Sequence, residues 1–140
     1  MDQEFSQTIQ RIIRRDERYS ADAYEFVNEA VSYTAKELKR TSKPKGDQHV
    51  TAEELVRGGM DWAYSQYGFL APEVLKQWGI RCGVDFGNIV YNMIAVNLLS
   101  ASAEDSQDDF QCHPDLIGEL RERIGRRLAG PVPQPPPFLD

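Results

Sequence analysis

With 140 residues, 41% of them hydrophobic, the chain fits one domain that buries roughly two thirds of its unfolded surface and folds without disulfides or metal. A formal charge of −6 disfavours nonspecific attraction to nucleic acid or anionic membrane, although a local basic patch remains compatible with it. The start, MDQEFSQTIQRIIRRDERY, has no apolar run of signal-peptide type, and no segment approaches a membrane span, so the expected setting is the cytoplasm with Cys82 and Cys112 as free thiols.

Phe5, Ile9, Ile12 and Ile13 fall at helical spacing and predict an amphipathic helix over 3–18. Its other face carries Arg11, Arg14, Arg15 and Arg18. These could hold phosphate or acids, but the neighbouring Glu4, Asp16 and Glu17 favour a solvated face. Ser20 is a good cap for a second helix with Asp22 in its first turn, ending near Arg40. TSKPKGDQ follows as a polar connection.

The stretch from Val50 to Leu99 organises the chain. Thr51 and Glu54 have the spacing of a capping box, flanked by Val50 and Leu55 as a hydrophobic staple, so a helix should begin at Ala52. Gly58 and Gly59 inside it cost about 1 kcal/mol each relative to alanine, which points to close approach of another helix backbone, with a ligand on bare backbone as the alternative. Gly68 should end this helix, and Pro72 should open the short helix PEVLKQW. Gly79 then serves as the left-handed terminator with Ile80 folding back on Leu75 and Trp78 buried at the corner.

The most apolar helix is expected over 84–96, with Phe86, Ile89, Val90, Met93 and Ile94 on a broad arc and Asn88 and Asn92 opposite. Asn97 should stop it in the left-handed conformation, with Leu98 returning on Met93. Residues 98–111 read either as a loop or as a small β-ribbon. Leu116, Leu120, Ile124 and Leu128 predict a last helix before the proline-rich tail GPVPQPPPFLD. The expected organisation is a single helical domain over 1–130 and a mobile tail over 131–140.

The words HVTAEELV, YGFLAPEVLKQWGI, VDFGNIVYNMI and AEDSQDDF together resemble a family of small uncharacterised bacterial proteins known chiefly from planctomycetes and verrucomicrobia. The resemblance runs from about Tyr19 to Phe110. It implies a folding unit and carries no activity, cofactor or catalytic residue.

Constellations for chemistry are sparse. A metal site would need His49, Cys82, Cys112 and His113 to converge, without paired C-x-x-C spacing and with only Cys112-His113 adjacent, so neither metal nor cofactor is expected. Glu104, Asp105, Asp108, Asp109 and Asp115 lack the glycine and terminal glutamate spacing of a calcium loop. No nucleophile elbow or phosphate-cradling glycine loop occurs, and no catalytic residue is nominated.

The sequence therefore predicts a mainly α fold of five to six helices around a central helix 84–96, winged-helix-like if 98–111 forms the ribbon. Its expected role is a noncatalytic protein-interaction or regulatory module, with a contact surface formed by Tyr64, Tyr67, Phe69, Glu104, Asp105, Asp108 and Asp109. The alternatives are a nucleic-acid-binding regulator using the terminal arginines, for which 84–96 lacks cations, and a small metal-dependent enzyme. The expected partner is another protein.

Overall fold

The computed structural model describes residues 3–39, 50–100 and 106–128. Among these, the elements are α1 (Gln3–Arg15), α2 (Ala21–Glu37), α3 (Ala52–Tyr67), α4 (Ala71–Gln77), α5 (Gly83–Ala95) and α6 (Leu116–Leu128), with 3-10 turns at Gly68–Leu70 and Gln107–Phe110. The mainly α expectation holds. None of the described helices is long and apolar enough to cross a membrane.

α1 stops earlier than its periodicity suggested. The Asp16 carboxylate accepts from the Arg18 backbone N–H at 3.1 Å and from the Arg18 guanidinium at 2.6–2.8 Å, which turns the chain away from the helix axis. Ile9 and Ile12 are buried, with Phe5 and Ile13 beside them, so the predicted stripe is the face that packs on α2. Ser20 caps α2, accepting from the Ala23 N–H.

The Asp16–Arg18 pair makes stability depend on acid. The hydrogen bond from Arg18 holds the Asp16 carboxyl well below the usual carboxylate range; burial opposes this, and the Asn92 amide assists it. A carboxyl depressed in the fold stabilises above its unfolded value of about 3.9, and that contribution is lost as pH falls toward the folded value. Asp16→Asn should therefore lower stability at neutral pH, and the gap to wild type should close in urea melts near pH 2. An equal gap at both pH values would show that the side chain contributes shape rather than charge.

The helix starts and stops inside the organising stretch follow their local chemistry. Thr51 Oγ1 accepts from the Glu54 N–H at 3.2 Å, and Glu54 Oε1 accepts from the Thr51 N–H at 3.0 Å. Such a cap contributes about 1 kcal/mol. Gly68 closes α3 at φ 58°, and Pro72 sits in the first turn of α4. Gly79, at φ 92°, ends α4 while the Ile80 N–H reaches the Leu75 carbonyl. Asn97 adopts φ 62° as anticipated, with the Leu98 N–H on the Met93 carbonyl.

Three expectations are corrected by packing. First, the hub is α3 rather than α5: α3 packs on α2, α4, α5 and both 3-10 turns. α2 and α3 run antiparallel, as shown by Gly58 against Thr34 at one end and Tyr67 in the field of Asp22 and Glu25 at the other. Second, the paired glycines admit side chains, not another helix backbone. Gly58 leaves room for Thr34 of α2, and Gly59 for the Phe86 ring of α5. Third, no β-ribbon forms among the described residues of 98–111. Ser106 Oγ accepts from the Asp108 N–H and Asp109 accepts from the Ser106 N–H, a local capping arrangement that winds 107–110 into a 3-10 turn instead of extending it. Without that ribbon, the winged-helix-like reading loses its wing.

Phe86 lies fully buried between α2 and α3, 6.2 Å from the Phe26 ring, and Phe26 meets Trp78 at 5.5 Å. Trp78 is half-buried at its corner, also facing Tyr67 at 5.7 Å. In α6, Leu116, Leu120 and Ile124 are buried as predicted, but Leu128 is exposed. The TSKPKGDQ connection and the proline-rich tail lie outside the described residues.

Candidate functional site

The predicted aromatic contact residues occupy the C-terminal end of α3 and the turn that follows. Tyr64 is half-buried beneath the Arg127 guanidinium, 4.6 Å from its ring centroid, so α6 uses much of it. Tyr67 is 38% exposed, Phe69 71% and Leu70 53%, an apolar knuckle where α3 turns into α4. Three carboxylates of α2 lie near enough to Tyr67 to act on its phenol. Burial raises the Tyr67 phenol first, followed by the charges of Glu29, Asp22 and Glu25. Glu29 is itself pushed up by burial and then by Glu25 one helical turn away. No cation pairs with Asp22, Glu25 or Glu29 among the described residues.

Of the predicted acidic partners of these aromatics, Asp109 is engaged within its own turn. Glu104 and Asp105 lie outside the described residues. Asp108 and Asp109 are exposed, but Asp109 caps the Ser106 N–H, and their turn is anchored by Phe110 seated on Gly87 of α5. The α3 residue that touches the segment after this turn is Glu53, at the opposite end of the helix from Tyr64 and Tyr67. The acidic set that accompanies the aromatics is thus Asp22, Glu25 and Glu29. The spacing of Glu25 and Glu29 on one face of α2 was the available sequence signal.

Asn88 and Asn92, the two amides a groove-reading α5 would present, are occupied within the fold. Asn92 Nδ2 donates to Asp16 and to the Tyr24 hydroxyl, each at 3.0 Å. Asn88 Nδ2 donates to the Tyr19 hydroxyl, which in turn donates to Asp85 at 2.6 Å, while Gln107 donates to Asn88 Oδ1. The α6 arginines are engaged as well: Arg121 pairs with Glu73, Arg123 and Arg127 with Asp61, and Arg126 with Glu122. Arg18 of the α1–α2 turn is held by Asp16. Arg11 and Arg15 line a groove between α1 and the end of α5 together with Glu4 and Asp16, so its charge is mixed.

A different constellation forms where the chain after the acidic turn crosses the start of α3. Glu53, Cys112 and His113 bring an oxygen, a sulfur and a nitrogen within 4.8 Å of one another. The His113 side chain is 8% exposed and sits between two carboxylates, with Nδ1 2.6 Å from Glu119 Oε2 and Nε2 2.9 Å from Glu53 Oε2. A neutral imidazole has one N–H and one lone pair, so each of these gaps needs a proton of its own. The backbone holds this residue at φ 50°, a left-handed conformation costing a non-glycine residue about 1–2 kcal/mol.

The surroundings tune these groups in opposite directions. Burial pushes the Glu53 carboxyl up, but hydrogen bonds and positive charge from His113 and Arg57 outweigh it and hold the carboxyl below its ordinary value. The Cys112 thiol is pushed up, by burial first and then by the Glu53 charge. Cys82 stands apart, its thiol donating to Asp85 at 3.4 Å, and both cysteines are free. His49 lies outside the described residues. Adjacent residues rarely ligate one ion together, so Cys112 and His113 carry little metal signal in the sequence. A left-handed residue lets both side chains reach Glu53, and that conformation has no sequence mark at a histidine.

No family model, no curated protein and no solved structure matches this chain.

Proposed function

We propose that the protein is a noncatalytic interaction module that docks a cationic, amphipathic segment of another protein. The observation carrying this reading is the exposed Tyr67–Phe69–Leu70 knuckle, with Asp22, Glu25 and Glu29 of α2 acting on Tyr67 and paired with no cation among the described residues. An apolar anchor against Phe69 and Leu70 would supply most of the affinity, as buried anchors do at interfaces. Lys or Arg flanking that anchor would relieve the crowding of Glu25 and Glu29 and speed encounter. The runner-up, a nucleic-acid-binding regulator, has less to work with because the α6 arginines and the α5 amides are already engaged.

The test is fluorescence polarisation with three labelled probes: a Lys/Leu amphipathic peptide, its Glu/Leu counterpart and a DNA duplex. The Lys/Leu peptide should bind selectively. Phe69→Ala combined with Leu70→Ala should weaken it at least about tenfold with the melting temperature unchanged, since both side chains are exposed. Glu25→Lys combined with Glu29→Lys should abolish it. Equal binding of both peptides, or binding of the duplex with a steep salt dependence, would overturn the proposal.

A further inference from the structure

The geometry points to a zinc-binding site in which Glu53, Cys112 and His113 supply the ligands and Glu119 holds the histidine from behind. The donor set decides the ion. An imidazole nitrogen with a thiol sulfur disfavours calcium and magnesium, which take oxygen, and suits a borderline-soft ion of tetrahedral preference. Ligand atoms around a tetrahedral zinc lie about 3.3–3.8 Å apart. The three donors here already lie within 4.8 Å of one another, so side-chain rotation alone can close on an ion.

The surroundings fit that assignment. Metal-bound histidines usually give their second N–H to a carboxylate, and Glu119 Oε2 stands 2.6 Å from His113 Nδ1. His113 Nε2 then faces Glu53 as the ligating atom. The Cys112–His113 backbone is held against α5, because the Gly83 N–H donates to the His113 carbonyl and the Cys112 carbonyl oxygen occupies the space that a Cβ at Gly83 would take. On binding, zinc displaces the Cys112 thiol proton and the proton between His113 and Glu53, both of which pass to solvent. The Nδ1–H stays on His113, donating to Glu119 Oε2. Glu53 is exposed, so the fourth position is open to water. The ion would tie the start of α3 to the segment leading into α6, independently of the docking surface at the other end of α3.

The purified full chain with reduced thiols can be titrated with cobalt(II) and then zinc. One equivalent of cobalt should give a sulfur-to-metal charge-transfer band in the near ultraviolet, and zinc should displace it. Cys112→Ser should abolish the band and weaken zinc binding at least about tenfold, whereas Cys82→Ser should behave as wild type. Glu119→Gln, which would touch no metal, should weaken zinc by about 10–100-fold. Far-ultraviolet circular dichroism checks that each variant is folded; should one unfold, the other two decide. Absence of the band, a band that follows Cys82, or zinc affinity indifferent to both Cys112→Ser and Glu119→Gln would overturn the assignment and leave His113 as a bridge between two carboxylates.

Discussion

Gly83→Ala is expected to destabilise the protein by about 3 kcal/mol, although alanine is the better helix former. A Cβ at this position would lie 2.0 Å from the Cys112 carbonyl oxygen and 2.7 Å from that of Phe110. Both are backbone atoms, so relief requires moving the whole 110–113 segment, which the Gly83 N–H itself helps to hold. The backbone at Gly83 is not left-handed, so glycine is required here for space alone. Gly125→Ala makes the contrast. It lies inside α6 with nothing within 4 Å of an added Cβ, and should stabilise by up to about 1 kcal/mol. Paired urea melts read both. If the two substitutions shift the midpoint in the same direction, the close approach of 110–113 to α5 is wrong.

Phe86→Ala should cost about 4 kcal/mol, the loss of a fully buried aromatic plus the cavity it leaves. The site is poorly placed to collapse. On one side the ring fits the bare backbone of Gly59, which has no side chain to move into the space. On the other it meets Phe26, already fixed against Trp78. Trp78 fluorescence during denaturant unfolding provides the readout, and a loss below about 2 kcal/mol would mean that α2 and α3 close over the gap. Because Phe86 joins α5 to both α2 and α3, the unfolding transition should stay cooperative while its midpoint falls.

The parts of this fold that the amino-acid order specified by itself are those decided within one or two helical turns. Thr51 with Glu54, Ser20 before α2, Gly68 after α3, Gly79 with Ile80 and Asn97 with Leu98 each satisfy backbone groups a few residues away, so their chemistry is complete in the local sequence. The buried stripes of α1, α5 and most of α6 were legible for the same reason, since periodicity states which face is apolar.

Tertiary structure alone decided what those faces meet. Periodicity cannot say whether the space over Gly58 and Gly59 is filled by a backbone or by Thr34 and Phe86, because the filler is distant in the chain. Nor can it say that α3 rather than the more apolar α5 is the hub, since hydrophobicity measures how much surface a helix hides and not how many neighbours hide it. The charged residues follow the same logic. Composition nominated Asp108 and Asp109 for the aromatic knuckle, and folding adds Asp22, Glu25 and Glu29 of α2, whose charges act on the Tyr67 phenol. Glu53 and Glu119, separated by 66 positions in the sequence, meet on the two nitrogens of His113 only because 110–113 crosses α3 at its capped end. Long-range electrostatic sites of this kind are set by packing geometry, to which a local reading of residue spacing has no access.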